Sequence, residues 1–158
     1  MLRDVAASLD RWMAERDFEA RQEGLLRLEP CTIRVLGQAA LFESELELAL
    51  ASTKDVDVRA DYPYVVQKEF ERLLAERGRI LDPVGHEAWM PRETRYHAVF
   101  EGRFVKVLVA EPEAVLLSKA LKAPVKNQAL LTEYLARGAT ERFFELARRY
   151  SLDLEQFL

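Results

Sequence analysis

The chain has few of the residues that mark secreted or membrane proteins. Among its 158 residues there is one cysteine, Cys31, so no disulfide can form within the chain. This scarcity agrees with a reducing compartment, and we expect a cytoplasmic protein. No apolar run reaches the roughly 18 residues that a membrane-spanning helix needs. The N-terminus has no apolar signal core, so we expect no membrane partner.

An excess of positive charge is also lacking. The chain has 23 lysines and arginines against 27 aspartates and glutamates, a net charge of -4. That balance does not favour nucleic-acid binding by the protein as a whole, although a local basic patch is compatible with it. The sequence contains no glycine-rich phosphate loop, no zinc-ligand spacing and no Ser-His-Asp arrangement. These absences exclude the most easily recognised enzyme and metal-binding classes.

What the chain does contain is a succession of helical and strand patterns, at a length that fits one domain. We expect an α+β fold in which a small mixed sheet of about four or five strands is flanked by helices. A helical C-terminal third follows the sheet. The predicted organisation is an N-terminal helical segment (1–30), an α/β core (31–122) and C-terminal helices (123–158), forming one domain overall.

The periodicity of the apolar residues also gives the individual elements. It predicts helices over 2–16, 38–50, 64–77, 114–121, 125–137 and 139–150, and strands over 31–36, 53–58, 79–81, 95–100 and 103–109.

The segment from Ser52 to Val58 contains the most informative residues, Asp55 and Asp57. Side chains on a strand alternate between its two faces, so both carboxylates lie on one face while Val56 and Val58 enter the core. Adjacent carboxylates repel each other unless a cation neutralises them. Mg²⁺ typically takes one or two carboxylates and completes its shell with water and substrate phosphate. The pair therefore indicates a metal and phosphate site, or else two solvated acids at an exposed strand end.

Two further features suit a phosphate ligand. Gly37 lies between a predicted strand and a predicted helix, where a glycine lets phosphate approach the backbone amides. The longest stretch without an acidic residue, 114–132, contains Lys119, Lys122 and Lys126. Lys119 and Lys122 are three residues apart and can share a helical face. This stretch is either a local anion site or a solvated helix face.

Three motifs in this order resemble the nucleotidyltransferase superfamily, which includes DNA polymerase beta. More closely, they resemble the abortive-infection type nucleotidyltransferase toxins of bacteria. The matching segments are Val35–Leu41, Ser52–Val58 and Glu113–Ala123, and the resemblance extends over residues 31–137.

The resemblance implies a nucleotidyltransferase-like core over 31–122, with Asp55 and Asp57 as catalytic residues that bind Mg²⁺. It also implies that a nucleoside triphosphate binds at Gly37, Gln38, Thr53, Lys119 and Lys122. Such a protein transfers a nucleotidyl group to a hydroxyl of RNA or of a protein, often as a toxin beside an antitoxin.

The sequence departs from the family pattern at two places. Gln38 follows Gly37 where the family commonly has serine or a second glycine. In addition, active members have a third acid on a later strand, but the strand at 103–109 contains no acid, and Lys106 is its only interior charge. An ion pair between Lys106 and the aspartates would replace the metal, leaving a binding or assembly module without catalysis. Alternatively, a third carboxylate comes from Glu43, Glu101 or Glu111.

Overall fold

The computed structural model describes residues 1–50 and 53–158, so Ser52 of the aspartate motif lies outside the described residues. These residues form a five-stranded mixed sheet in the order β3-β2-β1-β5-β4. The strands are β1 (Cys31–Leu36), β2 (Asp55–Ala60), β3 (Ile80–Leu81), β4 (Tyr96–Glu101) and β5 (Val105–Ala110).

Six α-helices accompany the sheet in the described ranges, and the predicted α+β class is confirmed. They are α1 (Leu2–Glu23), α2 (Gly37–Phe42), α3 (Tyr64–Ala75), α4 (Pro112–Lys122), α5 (Gln128–Ala136) and α6 (Glu141–Arg149). Short 3₁₀ helices cover Gly85–Glu87 and Leu154–Phe157. No helix in the described ranges is both long and apolar enough to cross a membrane.

The central strand β1 buries the side chains of Cys31, Ile33 and Val35 on one face, whereas Arg34 is exposed on the other. It pairs antiparallel with β2 and parallel with β5, and Val35 lies opposite both Val58 and Val109. Side chains from α1, the sheet and α6 belong to one continuous hydrophobic core, which includes Leu9, Val107 and Phe143. β1 ends directly before Gly37, which therefore lies at the edge of the sheet where β2 begins.

The predicted helix from Gln38 to Leu50 is wrong beyond Phe42, where α2 ends. In the segment that follows, Leu46, Leu48 and Leu50 pack against the core, while Glu45 and Glu47 are exposed. This alternation has the period of an extended chain, since a helix cannot place residues i, i+2 and i+4 on one face. The segment therefore crosses from α2 to β2 as an extended chain, and its leucines line the core.

Candidate functional site

Asp55 and Asp57 lie at the start of β2. Val56 and Val58 are buried, whereas Asp55 is exposed and Asp57 is half-buried. The strand therefore places both carboxylates on the face opposite the valines, which is the arrangement that the alternation predicts. Asp57 also pairs with Leu36 of β1, directly before the turn at Gly37.

Two glycines enclose the Asp57 side chain. Gly37 has φ 62°, and a Cβ added there would lie 2.5 Å from Oδ2 of Asp57. A Cβ at Gly85, in the 3₁₀ turn, would lie 2.8 Å from both Oδ1 and Cα of Asp57. Any side chain at either position would overlap the carboxylate. The turn at Gly37 thus contacts Asp57 itself, as well as beginning α2.

A third acid, Asp82, lies beside Asp57 and was missed from the sequence. In the parallel pair of β2 and β3, Ile80 lies opposite Asp55, so Asp82 follows β3 at the level of Asp57. The amide of Asp82 donates to the carbonyl of Val56 at 3.0 Å, which holds the residue in that register. The sequence feature that could have identified Asp82 is an acid directly after a short predicted strand. The sequence analysis instead expected the third acid on the strand at 103–109.

The surroundings of Asp57 raise the pKa of its carboxyl group. The pKa of Asp57 is raised to about 6, first by burial and then by the charge of Asp82, a hydrogen bond with Asp82 and the charge of Asp55. The positive charge of Lys119 opposes this shift. Asp57 is therefore a carboxylate held among other acids, with one lysine as its compensating cation.

The raised pKa predicts a pH-dependent effect of Asp57→Asn on stability. The folded state holds the proton more tightly than the unfolded chain, whose Asp57 titrates at the ordinary value of 3.8. The carboxyl therefore stabilises the fold fully below that pH, and this contribution is lost as the pH rises through about 6. A shift of this size, discounted for partial exposure, makes Asp57→Asn more stable than wild type by about 1–2 kcal/mol at pH 8.

Urea denaturation in metal-free buffer at pH 5 and pH 8 measures this difference. We expect the gain of Asp57→Asn to be larger at pH 8. The exposed Glu47→Gln on the segment after α2 is the control, with no change in either buffer. A gain that is the same at both pH values contradicts the assignment.

A cavity of about 390 Å³ is lined by Gln38, which follows Gly37, and by Thr53, two residues before Asp55. Lys119 lines this cavity, and its charge also interacts with the carboxylate of Asp57. Burial and the neighbouring charge of Lys126 lower the pKa of Lys119. The cavity thus contains two lysines that repel each other, together with amide, hydroxyl and apolar groups: Gln38, Thr53, Asn127, Ala49, Leu50, Ala129 and Leu130.

Three of the predicted nucleotide-binding residues therefore meet in one cavity: Gln38, Thr53 and Lys119. Thr53 also lines a smaller cavity of about 110 Å³, which contains Asp55 and Glu43. Lys122 lies elsewhere, with its Nζ 4.9 Å from the centre of the Trp89 ring.

Lys106 and two of the three residues proposed as the third acid, Glu101 and Glu111, have other partners. Nζ of Lys106 lies 3.4 Å from Oε1 of Glu101, and not beside the aspartates. Glu111 is held by Arg142, at 2.8 Å. Lys106 therefore does not take the place of a metal ion beside Asp55 and Asp57.

These carboxylates suit a magnesium ion that is bound partly by the protein and partly by water and substrate phosphates. They do not suit an ion bound by protein side chains alone. Within residues 1–50 and 53–158 there is no group of three or more histidine, cysteine or acidic side chains that could hold a metal ion alone. Mg²⁺ commonly needs only one or two carboxylates when water and substrate phosphates supply the rest. Asp57 and Asp82, in contact and mutually repulsive, provide such a pair, and Asp55 lies on the same face as Asp57.

Comparison with known proteins adds no family to this description: no protein-family model, no curated protein and no solved structure matches the chain. The fold and the site define a mixed α/β protein in which an acidic strand end adjoins a cavity lined by lysines.

Proposed function

We propose that this is a nucleotidyltransferase-like protein of the toxin type, which uses Mg²⁺ to transfer a nucleotidyl group from a nucleoside triphosphate to RNA or protein. One observation carries the proposal: Lys119 connects the carboxylate of Asp57, enclosed by Gly37, to the cavity that contains Gln38 and Thr53. An acidic metal site beside a cationic cavity suits a metal-bound polyphosphate.

The cavity has the composition that a nucleotide requires. Its volume, about 390 Å³, falls within the usual size of small-ligand sites, which is roughly 300–1,000 Å³. Lys119 and Lys126 offer positive charge to the phosphates, and the ligand's charge relieves the repulsion between the two ammonium groups. Leu50 and Leu130 provide an apolar wall for the base.

Asp57, paired with Asp82 or with Asp55, would hold the magnesium, and water and the substrate phosphates would complete its shell. When bound, the metal would neutralise charge on the attacking and leaving oxygens of an in-line displacement. In the transfer, the acceptor hydroxyl oxygen forms a bond to the α-phosphorus, and the bond to the bridging oxygen of the β-phosphate breaks. Pyrophosphate leaves with the electron pair, and the hydroxyl proton passes to solvent. Lys119 and Lys126 hold the departing phosphates in the cavity.

A binding or assembly module without catalysis is the alternative. The observation that favours it is the lack of a three-member metal-ligand group in the described part of the chain. The bulky Gln38 beside Gly37 points in the same direction, because it narrows the approach of a phosphate to the turn.

Titration calorimetry with a non-hydrolysable nucleoside triphosphate, with and without Mg²⁺, tests the proposal. We expect Mg²⁺-dependent binding by wild type, loss of the Mg²⁺-dependent part in Asp57→Asn and Asp82→Asn, and binding weakened about tenfold or more in Lys119→Gln. Lys106→Gln is the matched control, since Lys106 pairs with Glu101 away from the cavity. Because Asp57→Asn is expected to be more stable than wild type at neutral pH, lost binding cannot be attributed to unfolding.

Equal heats for all variants, or binding that ignores Mg²⁺, would contradict the proposal. Transfer of label from an α-labelled triphosphate to RNA or protein then separates the two functions. Mg²⁺-dependent binding without transfer supports the binding module.

A further inference from the structure

Asn127 lines the cavity of about 390 Å³, and the proposed function gives it no part in binding the metal or the phosphates. It is half-buried, lies directly before α5 and follows Lys126, which shares the cavity with Lys119. An amide side chain can donate hydrogen bonds through its nitrogen or accept them through its oxygen. The orientation of this amide therefore decides which ligand group it can bind.

Two backbone carbonyls fix the orientation of the Asn127 amide. Its Nδ2 donates to the carbonyl of Ala123 at 2.9 Å and lies 3.5 Å from the carbonyl of Lys119. A carbonyl oxygen only accepts hydrogen bonds, so the amide nitrogen, and not the amide oxygen, must face both of them. Lys119 belongs to α4, and Ala123 directly follows that helix. The side chain of Asn127 is therefore held in place relative to the helix that carries Lys119.

The oxygen of the same amide is not used within the protein. No donor within residues 1–50 and 53–158 forms a hydrogen bond with Oδ1 of Asn127, whose side chain has only the two contacts of its nitrogen. The oxygen is not enclosed either, because no buried side-chain nitrogen or oxygen in the described ranges lacks a hydrogen-bond partner. An accessible acceptor without a protein donor, on a residue that lines a cavity, is available to a ligand.

The surroundings of this oxygen restrict the ligand group that it can bind. Ionised phosphate oxygens only accept hydrogen bonds, so the amide oxygen repels them. A metal cation is disfavoured because Lys119 and Lys126 bring positive charge to the same cavity. The remaining partner is a neutral O–H or N–H group. In a nucleoside triphosphate these groups are the sugar hydroxyls and the N–H groups on the edge of the base.

We infer that Asn127 is a specificity-determining residue, whose amide oxygen accepts a hydrogen bond from the nucleoside, either from a sugar hydroxyl or from an N–H group of the base. This inference rests on the proposed function and identifies what the cavity recognises beyond the phosphates. Lys119 and Lys126 attract any triphosphate by charge, whereas Asn127 distinguishes one nucleoside from another. An amide held by two carbonyls cannot turn its nitrogen toward a ligand without the donor, so its oxygen would stay unpaired.

Titration calorimetry with matched triphosphates tests the inference on the wild-type protein. ATP, GTP, CTP and UTP in Mg²⁺ buffer identify the tightest ligand, and three analogues of that ligand then each lack one donor. For ATP these are 2′-deoxy-ATP, 3′-deoxy-ATP and purine riboside triphosphate, which has no amino group. We expect one analogue to bind about 3- to 10-fold more weakly than its parent, which is the usual effect of one hydrogen bond. A weaker deoxy analogue assigns the contact to the sugar, and a weaker base analogue assigns it to the base.

Asn127→Ser separates a role in specificity from a role in folding. The serine hydroxyl can donate to the carbonyl of Ala123, four residues back, and serine is favourable directly before a helix. Because this variant lacks the amide oxygen, the parent triphosphate should bind it as weakly as the analogue does. Gln128→Ser is the matched control, since the Gln128 amide also donates to a backbone carbonyl, that of Gln156, but does not line the cavity. This control should discriminate between parent and analogue as wild type does.

The inference is overturned if wild type binds its tightest ligand and all three analogues equally well. It is also overturned if Asn127→Ser discriminates as wild type does, because a uniform loss of affinity would indicate a structural role alone. Either result leaves the proposed function intact, since a triphosphate still binds. If wild type binds none of the four triphosphates, the proposed function itself is contradicted, and the inference that rests on it is contradicted too.

Discussion

Gly37→Ala is expected to destabilise the protein by about 2–5 kcal/mol, for two separable reasons. The first is the backbone, because φ of 62° at Gly37 is unfavourable for any residue with a Cβ. The second is the overlap of the new methyl group with Asp57, whose Oδ2 would lie 2.5 Å away. Relief of the overlap requires movement of either the turn or the carboxylate, so triphosphate binding should be lost as well.

Gly78→Ala is a control that isolates the backbone contribution. Gly78 has φ of 68°, but nothing lies within 4 Å of an added Cβ, so only about 1–2 kcal/mol is expected. In an Asp57→Ala background, which lacks the overlapping carboxylate, the cost of Gly37→Ala should fall to that of Gly78→Ala. Urea denaturation of these variants measures each free energy. If Gly37→Ala and Gly78→Ala cost the same in the wild-type background, Asp57 does not pack against the turn.

Asp10→Ala is expected to destabilise the protein by about 2–4 kcal/mol. The Asp10 carboxylate on α1 accepts hydrogen bonds from the backbone amides of Phe104 at 2.7 Å, Val105 at 2.9 Å and Arg103 at 3.3 Å. Its removal leaves partly buried donors without partners, at the turn between β4 and β5. It also removes one link between the N-terminal helix and the sheet, because this carboxylate joins residues more than 90 positions apart.

The free energy of unfolding from denaturant titration measures this effect, with Asp4→Ala as the control on the same helix. Asp4 is exposed and lies 3.5 Å from Arg77, an arrangement for which we expect a change within about 0.5 kcal/mol. Asp10→Asn should fall between wild type and Asp10→Ala, since the amide oxygen still accepts hydrogen bonds without the charge. An Asp10→Ala variant as stable as Asp4→Ala would show that the turn finds other partners for its amides.

Much of the fold follows from local patterns that a single sequence reveals. The hairpin of β4 and β5, the apolar strand β1 and the helix α3 were all predicted, because each depends on periodicity and on turn residues within its own segment. The segment after α2 was predicted wrongly, because its alternating leucines were read with the period of a helix.

The candidate site could be predicted from local sequence patterns only in part. Asp55 and Asp57 were identified because their spacing on one strand is a local property. Asp82 was missed because its place beside Asp57 depends on the parallel pairing of β2 with β3, which the intervening helix α3 makes possible. The partner of Lys106 was equally beyond prediction, since Glu101 faces it only across the β4–β5 register.

The amino-acid pattern alone was enough for the α+β class and for the face that presents Asp55 and Asp57, because period and spacing act within a few neighbouring residues. Pairing of distant segments decided the rest. The parallel register beside β2 brought Asp82 to Asp57, and the packing of α4 brought Lys119 to the same carboxylate and Lys122 to Trp89. Such contacts join residues far apart in the chain, and hydrophobic burial of the whole core determines them.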